Sequence, residues 1–168
     1  MDKLVTGVQT CALPISLTIS QKYQYRWAEA DSRNGLGRIY YSQEKYQPAL
    51  EFYQECFAIK AKIGDIPGEA KGRTNVALAY KSLQEPQRAI EFLQQSLEIF
   101  QQIPDPEGQA DCQNHLGVAY QDLKQHQQAR NHYQASLEIA TPEGIPTICL
   151  NAGQNYGHLE FQENNWSA

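Results

Sequence analysis

The sequence lacks most of the features that mark a catalytic or metal-binding protein. Its 4 cysteines and 4 histidines show no CxxC or zinc-finger spacing, and it has no glycine-rich phosphate loop, GxSxG elbow or HExxH motif. Cys112 and His115 could present two metal ligands on one helix face, but no second pair follows at zinc spacing. We therefore expect no enzymatic activity, no metal and no other cofactor.

The sequence also lacks a basic cluster and a long apolar run. Its 14 Lys and Arg and 19 Asp and Glu give a net charge of −5, and the charges are scattered singly along the chain. Binding to nucleic-acid phosphates needs a clustered basic surface, and a membrane-spanning helix needs about 20 apolar residues in a row. We therefore expect neither a nucleic-acid nor a membrane partner.

What the sequence does have is a period of 40 residues between residues 27 and 140. The recurring residues include Ala30, Ala70 and Ala110; Tyr40, Tyr80 and Tyr120; Ala49, Ala89 and Ala129; and Ile59, Ile99 and Ile139. Such a period is typical of an array in which each unit buries its apolar face only against its neighbours. Cys56 stands where the other units have serine, which favours a small core residue with a free thiol and a reducing, cytoplasmic location.

Each unit is predicted to contain two helices. Apolar residues recur at helical spacing, and breakers rich in Gly and Pro at 64–68 and 104–108 separate the units. We expect helices near residues 16–24, 27–43, 46–63, 68–83, 86–102, 107–123, 126–140 and 144–161. Gly37, Ala77 and Gly117 should face bulky residues of the second helices, because helices at close range need a small side chain there.

Three sets of residues carry a family resemblance: Leu36-Gly37-x-x-Tyr40 with Ala49 and Tyr53, Val76-Ala77-x-x-Tyr80 with Ala89 and Leu93, and Leu116-Gly117-x-x-Tyr120 with Ala129 and Tyr133. The pattern resembles the tetratricopeptide repeat, in the form of about 40 residues found in bacterial multi-repeat proteins and kinesin light chains. The aromatic residue common early in the family's first helix is absent, and Arg33, Arg73 and Gln113 stand there instead. The resemblance implies an all-α, right-handed superhelical solenoid of antiparallel helix pairs. In it, Tyr80 is expected to be buried between its own unit and the next.

The repeat register divides the chain into units. Residues 27–66, 67–106 and 107–142 are predicted to form three repeats, and 143–168 a partial fourth. Residues 16–26 align with the end of a preceding second helix. We therefore expect the chain to be a piece of a longer array.

The first residues do not fit this register. Residues 5–15 are similar to the conceptual translation of a widely used short-read sequencing adapter. Pro14 also falls where the repeats have glutamine in mid-helix, a place that proline strongly disfavours. We therefore expect residues 1–15 to be an adapter artefact without structure.

The resemblance also implies a protein-interaction scaffold, because first helices in this family line a concave groove that binds an extended peptide or a partner helix. By register, the groove-facing residues are Asp31, Asn34, Arg38, Tyr41 and Ser42 in the first unit, Lys71, Thr74, Leu78, Lys81 and Ser82 in the second, and Asp111, Asn114, Val118, Gln121 and Asp122 in the third. The candidates for peptide contacts are Asn34, Arg38, Tyr41, Lys71, Thr74, Lys81, Asn114 and Gln121. The lysine–asparagine clamp that some members use for C-terminal carboxylates is not reproduced, and the mixed signs leave the charge of the ligand open.

Two further hypotheses concern what lies around the array. As an alternative function, the array is the sensor or regulatory arm of a larger bacterial signalling protein, with a protease, kinase or nucleotide-binding domain outside this sequence. If the array is cut at both ends, apolar residues there should be partly exposed and should drive end-to-end self-association. The residues expected to be exposed in this way are Leu17, Ile19, Tyr156, Leu159 and Trp166.

Overall fold

The computed structural model describes the backbone of residues 5–166 and the side chains of residues 22–162. Within these residues the chain forms seven helices and no strand. The helices are α1 Val5–Ser42, α2 Tyr46–Ile63, α3 Ile66–Ser82, α4 Pro86–Gln102, α5 Pro106–Asp122, α6 His126–Ala140 and α7 Pro146–Trp166. The prediction of an all-α chain is confirmed.

The helices pair as the repeat register predicts. Short turns join α1 to α2, α3 to α4 and α5 to α6, and each helix packs on the one before it, with α7 resting on α5 and α6. One buried apolar cluster runs continuously from α2 to α5, and smaller clusters lie on either side of it. The core therefore extends from unit to unit along a helical-repeat solenoid.

Most helix ends lie close to their predicted positions. The bounds of α2, α4 and α6 agree with the prediction at both ends, while α3 and α5 begin slightly earlier than predicted. They do so because Asp65 and Asp105 cap the two helices, each accepting a hydrogen bond from the backbone N–H of a glycine three residues on, at 3.0 and 2.8 Å. A proline in each first turn supports the start, since a missing N–H is harmless there.

Helix α1 departs from the prediction. Two helices were expected at 16–24 and 27–43, with 1–15 unstructured, but the backbone is one continuous helix from Val5 to Ser42. Adding residues to an existing helix gains a hydrogen bond each time, and the helix continues through Pro14 despite that residue's missing donor. Residues 1–4 lie outside the described residues.

The predicted close approach between paired helices is confirmed. A Cβ built on Gly37 would lie 2.5 Å from the ring of Tyr53, and one on Gly117 would lie 2.5 Å from the ring of Tyr133. In the middle unit, Ala77 is paired with the smaller Leu93, and both lie in the central buried cluster. Each small residue therefore matches the size of the side chain opposite to it.

The burial of Tyr80 is also confirmed. Its ring stacks on Phe92 of its own unit at 5.5 Å between centroids, and its hydroxyl accepts a hydrogen bond from Gln54 Nε2 at 3.2 Å. Gln54 belongs to the preceding unit, so the hydroxyl is bonded to that unit, while the ring lies in the same buried cluster as Leu116 and Ala119 of the next unit. Cys56 is a buried free cysteine, as predicted from its alignment with serine.

The prediction for the end residues needs a correction. Leu159 was expected to be exposed but is fully buried, in a cluster with Ala129 and Tyr133 of α6, because α7 packs on that helix. Tyr156 is half-buried against the same cluster. The side chains of Leu17, Ile19 and Trp166 lie outside the described residues.

Candidate functional site

The first helices of the units line an open groove. Its volume is about 530 Å³, and α1, α3, α5 and α7 all contribute to its wall. Of the predicted contact residues, Asn34, Arg38, Lys71 and Thr74 lie on this wall. A second cavity of about 630 Å³ shares Arg38 and Asn75 with the first and adds Tyr41 and Ser42 of α1.

Hydrogen bonds between amides connect successive first helices along the groove. Asn75 Nδ2 donates to Asn34 Oδ1 at 3.0 Å, and Asn155 Nδ2 donates to Asn114 Oδ1 at 3.0 Å, each across 41 positions of sequence. At the same offset, Tyr41 and Ser82 hydroxyls lie 2.8 Å apart, and Gln121 Nε2 donates to Gln162 Oε1 at 3.3 Å. These pairs join α1 to α3 and α5 to α7.

Asn75 was missed by the sequence analysis. It lies on the wall of both cavities and pairs with Asn34. Asn75 lies 41 residues after Asn34, one residue beyond the position that the 40-residue repeat makes equivalent to it. Four side-chain hydrogen bonds between neighbouring first helices join residues that are 41 positions apart. Alignment at 40 instead pointed to Thr74.

Two predicted contact residues, Thr74 and Asn114, are buried. The Thr74 hydroxyl lies 2.9 Å from Ser96 Oγ and donates to the Ala70 carbonyl at 3.3 Å. The Asn114 side chain accepts the bond from Asn155. Packing of α3 on α4, and of α5 on α7, therefore uses these groups inside the solenoid and leaves little of them for a ligand.

The other two, Lys81 and Gln121, are half-buried and lie outside the residues that line the two cavities. Both polar groups of the Gln121 side chain form hydrogen bonds, since its NH₂ donates to Gln162 and its oxygen accepts from the Tyr133 hydroxyl at 2.7 Å. The residues that the structure brings together on the open groove are therefore Asn34, Arg38 and Lys71, joined by Asn75.

The charges on the groove are sorted by helix. Arg38 of α1 and Lys71 of α3 are exposed, and neither forms an ion pair within the described part of the chain. The acidic residues of the same groove, Asp105, Glu107 and Asp111, lie at the start and in the first turns of α5. One side of the groove is thus basic and the other acidic.

A buried lysine lies beside the basic side. Lys60 Nζ is 2.8 Å from Asp31 Oδ1 and 3.1 Å from Asp65 Oδ2, and it lies over the ring of Trp27, 4.0 Å from its centroid. Burial alone would lower the pKa of Lys60, but its hydrogen bonds to Asp31 and Asp65 outweigh burial and raise the pKa above its ordinary value. Asp31, a predicted groove residue, therefore shares its cation with Asp65, and the three side chains together carry one excess negative charge.

The described residues include no group of three or more His, Cys, Asp or Glu side chains that could hold a metal ion. His115 Nε2 lies 3.4 Å from Asp111, whereas the buried Cys112 thiol donates to Ser96 Oγ at 3.4 Å. Burial raises the pKa of Cys112. No helix in the described range is long and apolar enough to cross a membrane.

Helix pairs stacked around an open polar groove are the architecture of a protein-interaction scaffold. The chain belongs to the tetratricopeptide-repeat family. Two models of this repeat match, one over residues 69–141 and the other over residues 30–63, and together they cover more than half of the chain. A comparison with curated protein sequences found no significant match.

Solved structures share the fold. Aspartyl phosphate phosphatase F from Bacillus subtilis aligns with a TM-score of 0.75 at 17% identity, covering 94% of this chain and 41% of its own. The Rap conjugation gene regulator of plasmid pLS20, in complex with the Phr* peptide, aligns with a TM-score of 0.71 at 16% identity, covering 78% of this chain and 37% of its own. A signal-transduction ATPase with a tetratricopeptide-repeat sensor, from Pyrococcus horikoshii, aligns with a TM-score of 0.72 at 18% identity, covering 84% of this chain and 22% of its own. The chain spans less than half the length of each, and at these identities the likeness shows the fold alone.

Proposed function

We propose that this chain is a non-enzymatic scaffold that binds an extended peptide across its first helices. The observation that carries the proposal is the Asn34–Asn75 pair on the wall of the open groove. Their mutual bond uses one donor hydrogen of Asn75 and the oxygen of Asn34, so the Asn34 NH₂ and the Asn75 oxygen still have capacity for further bonds. A peptide backbone offers both a carbonyl and an N–H, which are the matching groups.

The dimensions of the groove fit such a ligand. Neighbouring packed helices lie about 10 Å apart, so the three steps from α1 to α7 span roughly 30 Å. An extended chain rises about 3.3 Å per residue, and a peptide of about nine residues would therefore cross all four helices. The peptide complex of the Rap regulator supports the choice of a peptide, since that protein shares the fold.

Selection from a random dodecapeptide phage library on the immobilised chain tests the proposal. Selected peptides, synthesised with a fluorescent label, should bind the unmodified chain and bind Asn75→Ala about tenfold more weakly, as the loss of a hydrogen bond in a binding site predicts. Fluorescence anisotropy gives the dissociation constants.

The matched control is Gln94→Ala, which removes an exposed amide from the second helix α4. It should leave peptide affinity unchanged. Selection of no peptide, or equal losses in the two variants, would show that the groove is not the binding site.

A further inference from the structure

We infer that the groove selects a peptide carrying charges of both signs in a fixed order, with acidic residues over α1 and α3 and basic residues over α5. This inference rests on the proposed function and adds the charge and orientation of the ligand. It starts from the separation of charge on the groove wall. The two cations, Arg38 and Lys71, lie on α1 and α3, whereas the three anions are Asp105, which caps α5, and Glu107 and Asp111 on α5 itself.

The basic side is available to a ligand. Arg38 and Lys71 are exposed and form no ion pair with any described residue. Asp31, which lines the neighbouring cavity together with Lys71, lies 2.8 Å from Lys60, a lysine that it shares with Asp65 at 3.1 Å. Two carboxylates set against Lys60, Arg38 and Lys71 leave this side with an excess of positive charge. A carboxylate of the ligand would meet two unpaired cations there.

The acidic side is fixed in place by the helix that carries it. Asp105 caps α5 through its bond to the Gly108 N–H at 2.8 Å, and Glu107 and Asp111 follow on the same helix. Among the groove-lining residues, α5 and α7 contribute no lysine or arginine; α7 supplies Thr147, Ile148 and Asn151. A cation of the ligand would therefore find three carboxylates on this wall, one of which, Asp111, also lies 3.4 Å from His115 Nε2.

The spacing of the helices sets the spacing of the charges. Helices α3 and α5 are neighbours, so their charges are offset by about 10 Å, which is about three residues of an extended peptide. The Asn34 NH₂ and the Asn75 oxygen bind a backbone carbonyl and N–H and so set the direction of the peptide. A peptide with the same charges in the reversed order would then place like charges together, and such juxtapositions suppress wrong partners. Several exposed pairs acting together, each a weak contribution by itself, should favour the correct order by about tenfold at low salt.

The test compares peptides selected from the dodecapeptide phage library on two proteins. Peptides selected on the unmodified chain should be enriched in Asp or Glu toward one end and in Lys or Arg about three residues away, in one order along the peptide. The second protein is the quadruple variant Arg38→Glu, Lys71→Glu, Glu107→Lys and Asp111→Lys, which reverses the sign at four of the five charged groove residues, leaves Asp105 in place as the helix cap and keeps the net charge. It should select the opposite order.

A milder variant guards against misfolding of the quadruple one. The double exchange Lys71→Glu with Glu107→Lys leaves one charge of each sign on the basic side, and one lysine with Asp105 and Asp111 on the acidic side. It should weaken the order preference without reversing it. The matched control, Lys62→Glu with Glu98→Lys, makes the same exchange at exposed positions of the second helices and should select as the unmodified chain does. For one bipolar peptide and its reversed-order counterpart, anisotropy should give a difference of about tenfold that shrinks as salt is raised.

The outcomes separate this inference from the proposed function. Three results would overturn the inference and leave the groove as the binding site. In each, the selected peptides depend on Asn75 for binding, but their charges show no order, are all of one sign, or keep the same order undiminished in the swapped variants. Failure to select any peptide, or selection that ignores Asn75, would overturn both.

Discussion

At the scale of single residues, the units are adjusted by matched pairs across each helix pair. Gly37 and Gly117 each touch a tyrosine ring, whereas the middle unit has an alanine opposite a leucine. The combined volume at each crossing is therefore similar although the residues differ. This compensation predicts that changing one residue of a pair destabilises the chain, whereas changing both residues to the pair found in another unit is tolerated.

Gly37→Ala should destabilise the chain by about 1–2 kcal/mol, because overpacking outweighs the gain in helix propensity. Adding Tyr53→Leu recreates the pair found in the middle unit and should recover at least about 1 kcal/mol relative to additivity in a double-mutant cycle. Urea unfolding measures all four corners of the cycle.

The control for this cycle is Gly153→Ala in α7, where a Cβ would meet nothing within 4 Å. It should stabilise the chain by up to about 1 kcal/mol, the ordinary advantage of alanine in a helix. Additive effects of Gly37→Ala and Tyr53→Leu would mean that the two side chains do not limit the helix spacing.

At the scale of helices and turns, the same backbone strain recurs in every unit. Glu44, Gln84 and Lys124 have φ of 60°, 63° and 59° in the turns between paired helices. None is a glycine, although this left-handed region disfavours side chains with a Cβ. Each turn is held by a bond to the carbonyl of a repeat tyrosine, as in the 2.9 Å contact from the Glu85 N–H to the Tyr80 oxygen.

Gln84→Gly should therefore stabilise the chain by about 0.5–1 kcal/mol, the relief of strain less the greater entropy of glycine in the unfolded state. Thermal and urea unfolding measure the change. Gln94→Gly, at an exposed position in the middle of α4, should instead lose about 1 kcal/mol, since glycine is unfavourable inside a helix. Destabilisation by both substitutions would contradict the assigned turn strain.

At the scale of the whole molecule, the first and last described helices bury their apolar residues less than the inner helices do. Leu36 is 42% exposed, while its equivalents Val76 and Leu116 are fully buried. On α7, Leu150 is 60% exposed and Phe161 67%. An inner first helix is covered on these faces by neighbouring helices, and α1 and α7 have no such neighbour among the described residues.

We expect these faces to support self-association of the chain, because contiguous exposed apolar side chains recruit partners. Sedimentation velocity over a concentration series should show a weight-average mass that rises with concentration. Leu150→Ser with Phe161→Ser should reduce that rise, whereas Ile66→Ser, at an exposed residue beginning α3, should not. A mass independent of concentration would exclude this association.

Much of the fold could be predicted from the sequence because each position of the repeat occurs in three aligned copies. The ends of α2, α4 and α6 follow from the shared pattern, and the tyrosine opposite Gly37 follows from helix spacing alone. The packing of α7 could not be predicted in the same way. The repeat register predicts an exposed Leu159, yet the structure buries it between α7 and α6.

The sequence by itself determined the periodic solenoid, since helical spacing, breakers and caps are local properties repeated at 40 residues. Only the tertiary structure decided which polar residues remain open. A helical period places Thr74, Asn75 and Asn114 to within a fraction of a turn, but the approach of the neighbouring helices buries the first and third and leaves Asn75 on the groove. It also separates the mixed charges into a basic and an acidic wall, because residues far apart in sequence become neighbours only when the units stack.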